Sequence, residues 1–310
     1  MEPDCPSSDS LSLQISGHLP VVALGEVLWD IFPDSRRLGG APLNFGVHAQ
    51  RLGHDVCLIS AVGLDELGRQ GAARIAELHI DTTFLKNAAT FPTGTATVEV
   101  IPGGRTIFKI RRPAAYDAIE ISDVDIETLR RRAPGWLYYG TLFASLPQGK
   151  AILERLVNKL DGTLNFYDLN LRPGCDSPAL VNQLMEWADV VKLNEEELHR
   201  VQEFTGLPLS TEVFCREACI RYGWKAVAVT LGARGCAILA NGRYVEALGN
   251  PVAIGDPVGA GDAFAAAFMH GLGSNWPLAE IATFANRIGA LVASRDGAIP
   301  DWTLEETTRR

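Results

Sequence analysis

A glycine-rich turn leads into an apolar helix at residues 255–264, which read GDPVGAGDAF. A turn of this kind presents free backbone N–H groups at the positive end of the helix dipole, and such groups bind anions. Asp262 lies just inside the turn, where a carboxylate commonly helps only to cap the helix. With a phosphate in the turn, the same carboxylate would be placed to take a proton from an attacking hydroxyl. The stretch therefore fits either a capped helix start or the anion site and base that phosphoryl transfer to an alcohol needs.

Polar residues also follow predicted strands, at the edge where parallel sheets bind their ligands. The pair Gly39-Gly40 is flexible enough to let the backbone approach a small ligand closely. Asp30 and Asn44, on either side of that pair, can exchange hydrogen bonds with vicinal hydroxyls, although an ordinary glycine turn explains the pattern as well. Arg172 follows a later strand, where it either steadies a transferring phosphate or forms a surface salt bridge.

Two further segments suit a nucleotide. Asn194 and Glu197 lie one turn apart on a predicted helix, where they either cap the helix or hold a magnesium ion through water. Thr230, Gly232 and Gly235 belong to another glycine turn, which suits contact with a nucleotide or simply the hairpin that follows. The sequence has no Walker motif, no HExxH and no Rossmann G-x-G-x-x-G, and the last absence argues against a dinucleotide-dependent oxidoreductase.

The composition indicates one large domain over residues 19–304, preceded by a flexible tail at residues 1–18. A length of 310 residues and a hydrophobic content of 47% are sufficient for a sizeable core. The net charge of −9 and the absence of basic runs argue against nucleic acid as a partner. No apolar run approaches the roughly 20 residues of a membrane span, and the six scattered cysteines form no disulfide or zinc pattern. We therefore expect a cytoplasmic protein without a membrane partner.

Short apolar strands alternate with helices, which predicts an α/β fold with a central, mostly parallel sheet and helices on both faces. The predicted strands are residues 21–24, 56–61, 136–139, 164–169, 190–193 and 226–230, and a small hairpin covers 236–246. The predicted helices are residues 42–52, 67–78, 148–160, 195–204, 211–222, 261–270 and 278–294.

A second hairpin interrupts this alternation at residues 95–110. Both of its arms alternate apolar and polar residues around Pro102-Gly103-Gly104. We expect it to project from the main sheet as a lid over about residues 91–115. Because two strands alone are marginally stable, the hairpin should pair either with another subunit's lid or with other local strands.

Two signatures make the chain resemble the ribokinase-like (PfkB) family of carbohydrate kinases. Residues 39–44, GGAPLN, are similar to the family's N-terminal sugar-side motif, and residues 256–264, DPVGAGDAF, to its C-terminal phosphate-side motif. The resemblance extends from about residue 21 to residue 299. Within the family the chain is most similar to bacterial-type fructokinases, on the segments 25–33, 92–95, 168–173 and 192–198.

The resemblance implies a ribokinase-like fold with a small β lid and an ATP-dependent kinase that phosphorylates a primary hydroxyl of a small sugar. Fructose is the expected acceptor, and the alternative is 2-keto-3-deoxygluconate or the substrate of another sugar or nucleoside kinase of the family. A catalytically silent sugar-binding protein is disfavoured, because it would need neither the aspartate nor the glycines of the phosphate-side motif. The implied cofactors are ATP and Mg²⁺, with K⁺ as a further cation, and family members often dimerise through the lid.

The resemblance also implies a role for each candidate residue. The catalytic residues would be Asp262 as the base, the N–H groups of Gly259, Ala260 and Gly261 as the anion hole, and Arg172. The sugar would contact Asp30, Gly39, Gly40, Asn44 and Arg112. Mg–ATP would contact Lys192, Asn194, Glu197, Thr230, Gly232, Gly235, Gly261 and Asn286, with Glu197 holding magnesium through water and Asp256 at the potassium site.

Two positions depart from the family pattern. Pro257 stands where threonine is usual, so one hydroxyl is lost near the potassium site. Arg111 and Arg112 stand in a lid segment where fructokinases carry other residues. If these arginines face the sugar they favour an acidic or phosphorylated substrate, and if they point to solvent they have no bearing on it.

Overall fold

The structure is a computed structural model that describes residues 18–100, 106–208 and 210–308. Its strands, β1 to β13 in chain order, are Val21–Leu24, Leu28–Ile31, Arg36–Gly39, Val56–Gly63, Leu85–Ala88, Gly94–Val100, Thr106–Ile110, Trp136–Gly140, Leu164–Asp168, Val190–Asn194, Ala226–Thr230, Gly235–Ala240 and Arg243–Leu248. Its α-helices, α1 to α11, are Ala41–Arg51, Glu66–Glu77, Asp123–Arg131, Thr141–Ala144, Pro147–Lys159, Pro178–Glu186, Glu195–Thr205, Thr211–Tyr222, Ala260–Gly273, Leu278–Ala293 and Leu304–Thr308.

A nine-stranded sheet forms the centre of the molecule, in the order β13-β12-β11-β10-β9-β8-β1-β4-β5. All neighbouring pairs from β11 to β5 are parallel, and only β12 and β13 are antiparallel to their neighbours. In β1, Val21 and Ala23 belong to one apolar cluster and Val22 and Leu24 to the other. Successive side chains of a strand point to opposite faces of the sheet, and here both faces are covered by other elements. This is why every residue of the strand is apolar. The predicted α/β architecture is confirmed.

Helices α1 and α9 pack against each other on one face of this sheet. Each begins after a glycine with positive φ, 114° at Gly40 and 81° at Gly259. A Cβ atom at Gly40 would lie 2.4 Å from the Glu26 carbonyl oxygen, and one at Gly259 would lie 2.4 Å from that of Ala298. Only glycine therefore fits either turn, and the two tight turns bring the starts of both helices to the ligand-binding edge of the sheet.

A separate four-stranded sheet has the order β3-β2-β6-β7. Strands β6 and β7 are the predicted hairpin, whose turn lies outside the described residues. The hairpin pairs with the local strand β2, which runs parallel to β6 with Leu28 opposite Gly94. The small sheet thus includes residues 28–39 as well as the predicted 91–115 segment. Sequence reasoning missed β2 and β3 because charged residues and Pro33 interrupt their apolar pattern.

Several short elements were also missed, among them α3, α6 and β5. Helix α3 begins at a Ser122–Asp125 capping box, a start signal that the sequence carries. The predicted tail at residues 1–18 lies outside the described residues except for His18, which contacts the Gly53 carbonyl. Among the described helices, none combines the length and the apolarity that a membrane crossing requires.

Candidate active site

A cavity of about 560 Å³ opens where the ends of the parallel strands face the small sheet. The small sheet contributes Leu28, Ala96 and Ile110 to its wall. The predicted site residues that line it are Asp30, Gly40, Asn44, Arg172, Lys192, Asn194, Glu197, Thr230, Gly259, Gly261 and Asp262. A more open cavity of about 850 Å³ lies between residues 86 and 155, but none of the candidate catalytic residues lines it. The first cavity is therefore the candidate active site.

Asp262 lies in the first turn of α9. Its Oδ2 accepts a hydrogen bond of 2.8 Å from the Asn44 side-chain amide, whereas α9 has Gly259 as its N-cap and no side-chain cap. Burial of the carboxyl group and the nearby Asp168 raise the pKa of Asp262 to about 7, against the opposing effects of Lys192 and Asn44. Asp262 therefore does not cap the helix, and its carboxyl group lines the cavity instead. A carboxylate that titrates near neutral pH is suited to proton transfer.

The turn before Asp262 is built to hold an anion. The first N–H groups of a helix have no acceptor within it, so those of Gly261 and Asp262 are available to a ligand. The Ala260 N–H makes a long bond of 3.3 Å to the Pro257 carbonyl. A Cβ atom at Gly261 would lie 3.0 Å from the Lys192 ammonium nitrogen, so a cation lies directly against the turn. Helix dipole and ammonium together favour negative charge here.

Lys192 forms a buried ion pair with Asp168. Its Nζ lies 3.0 and 3.2 Å from the two carboxylate oxygens, and the Tyr138 hydroxyl donates to the same carboxylate at 3.2 Å. Although burial acts to lower the pKa of Lys192, the carboxylates of Asp168, Glu197 and Asp262 outweigh that effect and raise it. Lys192 is therefore a permanent cation at the boundary of the anion turn.

Asn194 and Glu197 form the capping box of α7. Asn194 Oδ1 accepts from the Glu197 N–H at 2.9 Å, and Glu197 Oε2 accepts from the Asn194 N–H at 2.8 Å. Glu197 Oε1 accepts from the Leu171 N–H at 2.9 Å. These contacts are those of the capping interpretation. Each carboxylate oxygen of Glu197 nevertheless keeps a second lone pair, and Glu197 lines the cavity. Oxygen donors of this type suit Mg²⁺ through water, so the donor set fits that ion.

The opposite side of the cavity is suited to hydroxyl groups. Asp30 is 9% exposed, and burial raises its pKa to about 6. A Cβ atom at Gly39 would lie 3.3 Å from Asp30 Oδ2, so the glycine leaves room for that carboxyl group. Asn44 Oδ1 is buried and accepts no hydrogen bond from the residues that the structure describes. A buried acceptor of this kind can take a hydrogen bond from a ligand hydroxyl or from water.

Asp256 is paired with a cation that the protein itself supplies. Arg37 Nη1 donates to Asp256 Oδ2 at 2.6 Å, and the Gly297 N–H donates to the same oxygen at 3.3 Å. The Val258 N–H donates to Oδ1 at 3.0 Å. With Pro257 lacking a hydroxyl, the donor set does not fit the potassium ion predicted here, because a guanidinium already neutralises the carboxylate.

Arg112 is not among the residues that line the cavity. Its guanidinium forms an ion pair with the buried Asp117 and donates to the Leu142 carbonyl at 3.0 Å and the Ser145 hydroxyl at 2.5 Å. The neighbouring Arg111 is exposed. The sequence left open whether the two arginines face the sugar or the solvent, and in the structure neither of them lines the cavity.

A second cavity of about 480 Å³ adjoins the first and shares Thr230, Pro257 and Gly261 with it. Its wall is mostly apolar and includes residues that sequence reasoning did not assign, Val252, Ile254 and Phe264. The predicted nucleotide residues that line it are Thr230, Gly232, Gly235, Gly261 and Asn286, and Ala260 of the predicted anion hole lines it as well. The polar cavity that contains Asp262 thus joins an apolar one at the glycine turn before α9.

Glu26 is a further residue that sequence reasoning did not assign to the site. It is buried in the cavity wall, where its carboxylate accepts the Ala41 N–H at 3.1 Å and burial raises its pKa. The sequence carried a sign of this position, since Glu26 is an acid between the apolar segments 21–24 and 27–29.

A family model described as pfkB family carbohydrate kinase matches residues 26–304. The chain is 29% identical to a fructokinase-1 of Oryza sativa subsp. japonica, over 92% of this chain and 95% of that relative. It is 28% identical to a 5-dehydro-2-deoxygluconokinase of Geobacillus kaustophilus, over 84% of this chain and 80% of that relative. Among solved structures, a fructokinase from Vibrio cholerae O395 in its fructose, ADP and calcium ion bound form superposes with a TM-score of 0.76 at 25% identity, covering 91% of this chain and 95% of that one.

Proposed function

Since the chain belongs to the pfkB family of carbohydrate kinases and is a phosphotransferase, we propose that it transfers the γ-phosphate of ATP to a primary hydroxyl of fructose. The observation that carries this proposal is the pairing of Asp262, with a pKa of about 7, with Asn44 beside the glycine turn of α9. The second, apolar cavity beyond that turn has the character of an adenosine site.

In the proposed reaction the sugar hydroxyl donates a hydrogen bond to the Asp262 carboxylate. As its oxygen attacks the γ-phosphorus in line, the proton passes to Asp262 and ADP leaves. The N–H groups of the turn, Lys192 and Arg172 stabilise the charge on the phosphate oxygens. Magnesium, which Glu197 would hold through water, supplies further neutralisation of the phosphates. Asp30 and Asn44 Oδ1 orient the sugar by accepting hydrogen bonds from its other hydroxyl groups.

The carboxyl groups on the sugar side of the cavity and the pairing of Arg112 favour a neutral sugar over a sugar acid, although Arg172 lines the same cavity. Glu26 and Asp30 lie on the sugar side, and Arg112 is neutralised by Asp117. The relatives that match the chain nevertheless include both fructokinases and 5-dehydro-2-deoxygluconokinases. A sugar acid is therefore the second candidate, and 2-keto-3-deoxygluconate is its simplest representative.

We expect ADP release from Mg–ATP to depend on fructose in a panel that also contains 2-keto-3-deoxygluconate, 5-dehydro-2-deoxygluconate, ribose, mannose, glucose and adenosine. The comparison is made on kcat/KM, because discrimination between substrates resides in that ratio. Turnover with a sugar acid alone would replace the substrate but keep the kinase mechanism. A lack of turnover with every member of the panel would contradict the proposed acceptor class.

Potassium should not activate this enzyme, because Arg37 already neutralises Asp256. We expect equal kcat in KCl, NaCl and tetramethylammonium chloride at matched ionic strength, which controls for general screening. Arg37→Ala frees the carboxylate, so this variant should lose activity in tetramethylammonium chloride and regain part of it in KCl. A wild-type enzyme that requires KCl would show that the ion pair opens during catalysis.

The homodimer through the small sheet and the cytoplasmic location stay predictions. Strand β7 is the last strand at one edge of the small sheet, and edge strands are where two chains commonly pair. Sedimentation velocity of the intact chain tests the dimer directly, and a monomer at assay concentration would contradict it.

A further inference from the structure

Three histidines from separate parts of the chain converge behind the active site. His18 precedes β1, His54 follows α1, and His270 belongs to α9. One ring nitrogen of each lies within 4.8 Å of the other two. The three ring centroids are 5.2, 5.3 and 5.3 Å apart, so the rings form a nearly equilateral triangle.

The spacing of one pair of these nitrogens is close to that of a tetrahedral metal site. Zn–N bonds of about 2.0–2.1 Å place neighbouring ligand nitrogens about 3.3 Å apart. His54 Nε2 and His270 Nδ1 are 3.1 Å apart. These two nitrogen atoms therefore need to move by only a few tenths of an ångström to bind one ion.

Backbone carbonyls select the tautomers that a metal requires. His18 Nδ1 lies 3.1 Å from the Gly53 carbonyl, and His54 Nδ1 lies 3.2 Å from the Leu19 carbonyl. A carbonyl only accepts, so both Nδ1 atoms carry the proton and both Nε2 atoms carry a lone pair. The contact between His54 Nε2 and His270 Nδ1 is then a hydrogen bond that His270 donates, and a metal ion would displace that proton. Metal-binding histidines are commonly oriented in this way, by donating the second ring N–H to a carbonyl.

The surroundings hold the rings close together. Burial lowers the pKa of His54, and burial together with the neighbouring rings lowers that of His270 to about 4. Gly53 has a φ of 90°, and a Cβ atom there would lie 2.9 Å from His18 Nδ1, so a glycine is needed for the close approach. His54 and His270 are buried while His18 is exposed, which gives an ion a route from solvent.

We propose that His18, His54 and His270 form a structural site for a divalent transition metal, with zinc as the best match and water as the fourth ligand. Three neutral imidazoles are a donor set typical of zinc. The ion would tie the segment before β1 to the distal ends of α1 and α9, the two helices that carry Asn44 and Asp262. His270 is eight residues from Asp262, or about 12 Å along the helix, so the metal stabilises the frame and touches no reacting atom.

The test uses the intact chain after removal of metal with EDTA. We expect isothermal titration calorimetry to show one zinc ion per chain, and Co²⁺ to give the intense visible bands of a tetrahedral site. Zinc at 100 times its Kd should raise the folded-to-unfolded ratio about 100-fold, measured as an increase in Tm. The kcat of the sugar kinase reaction at saturating Mg–ATP should not change, because the site lies outside the cavity.

His18→Gln is the informative variant, because this exposed side chain can be replaced without opening the core. It should abolish the Co²⁺ spectrum and the increase in Tm with zinc. His199→Gln, at an exposed histidine outside the cluster, should retain both. Absence of stoichiometric binding, or a His18→Gln protein that binds zinc like the parent, would overturn the proposal.

Discussion

Replacement of Asp262 by asparagine should lower kcat by about 10²- to 10⁴-fold, the range that general bases contribute. Asparagine is isosteric and can still accept the hydrogen bond from Asn44, so the site should keep its shape. What is lost is the ability to take the proton from the sugar hydroxyl. The measurement is fructose-dependent ADP release at saturating substrates, with Asp161→Asn as a matched change at an exposed aspartate. A kcat within tenfold of the parent would contradict the role of Asp262 as the base.

The same residue predicts two opposite dependences on pH. Catalysis needs the ionised carboxylate, so kcat/KM for the parent should rise as the pH rises through about 7. Stability should follow the reverse course. The folded state holds the Asp262 proton up to about pH 7, whereas the unfolded chain releases it near 3.8, so the folded state binds more protons in that window. Stability from this group is therefore lost as the pH rises from about 4 to 7.

Asp262→Asn consequently separates function from folding. Above pH 7 the variant lacks the buried charge that the parent must accommodate, so its Tm should exceed that of the parent while its activity is lost. At pH 5, where Asp262 is protonated in the folded parent, the two Tm values should approach each other. Equal differences in Tm at both pH values would show that Asp262 does not titrate in this window.

Local patterns account for what the sequence could predict. The strand at Val21–Leu24 is apolar along its whole length, and the turn before Asp262 combines glycines with a helix start. Both could therefore be predicted from the local sequence, without knowledge of their contacts in the fold. The capping box of Asn194 and Glu197 could be predicted in the same way. The position of the Glu197 carboxylate in the cavity wall also depends on the Leu171 N–H, which follows another strand and donates a hydrogen bond to it.

Contacts between distant segments account for what the sequence could not predict. Arg37 and Asp256 are 219 residues apart, and nothing near either residue indicates that they pair. The strand that carries Arg37 is too polar to be recognised from its own pattern, and its pairing with β2 holds it in place. Arg112 differs, since its partner Asp117 is five residues away and the sequence alone could have raised that pairing.

The second large effect is expected at the Asp168–Lys192 ion pair. Lys192→Met would leave the fully buried Asp168 carboxylate with the Tyr138 hydroxyl as its one remaining side-chain partner among the residues that the structure describes. Removal of one member of a buried pair typically costs about 3–5 kcal/mol, a large part of the 5–15 kcal/mol that stabilises most domains. Denaturant unfolding of the parent and the variant measures this loss. A cost below about 1 kcal/mol would mean that Asp168 is neutral in the folded parent.

Adding Asp168→Asn to Lys192→Met should recover most of the lost stability, because the double variant buries no unpaired charge at this position. It should not recover activity, because the cation that lies against Gly261 is still missing from the anion turn. Stability and turnover would then respond differently to the same pair of changes. If the double variant instead regains both, Lys192 acts only as the partner of Asp168, and stabilisation of the transferring phosphate falls to Arg172 and the backbone of α9.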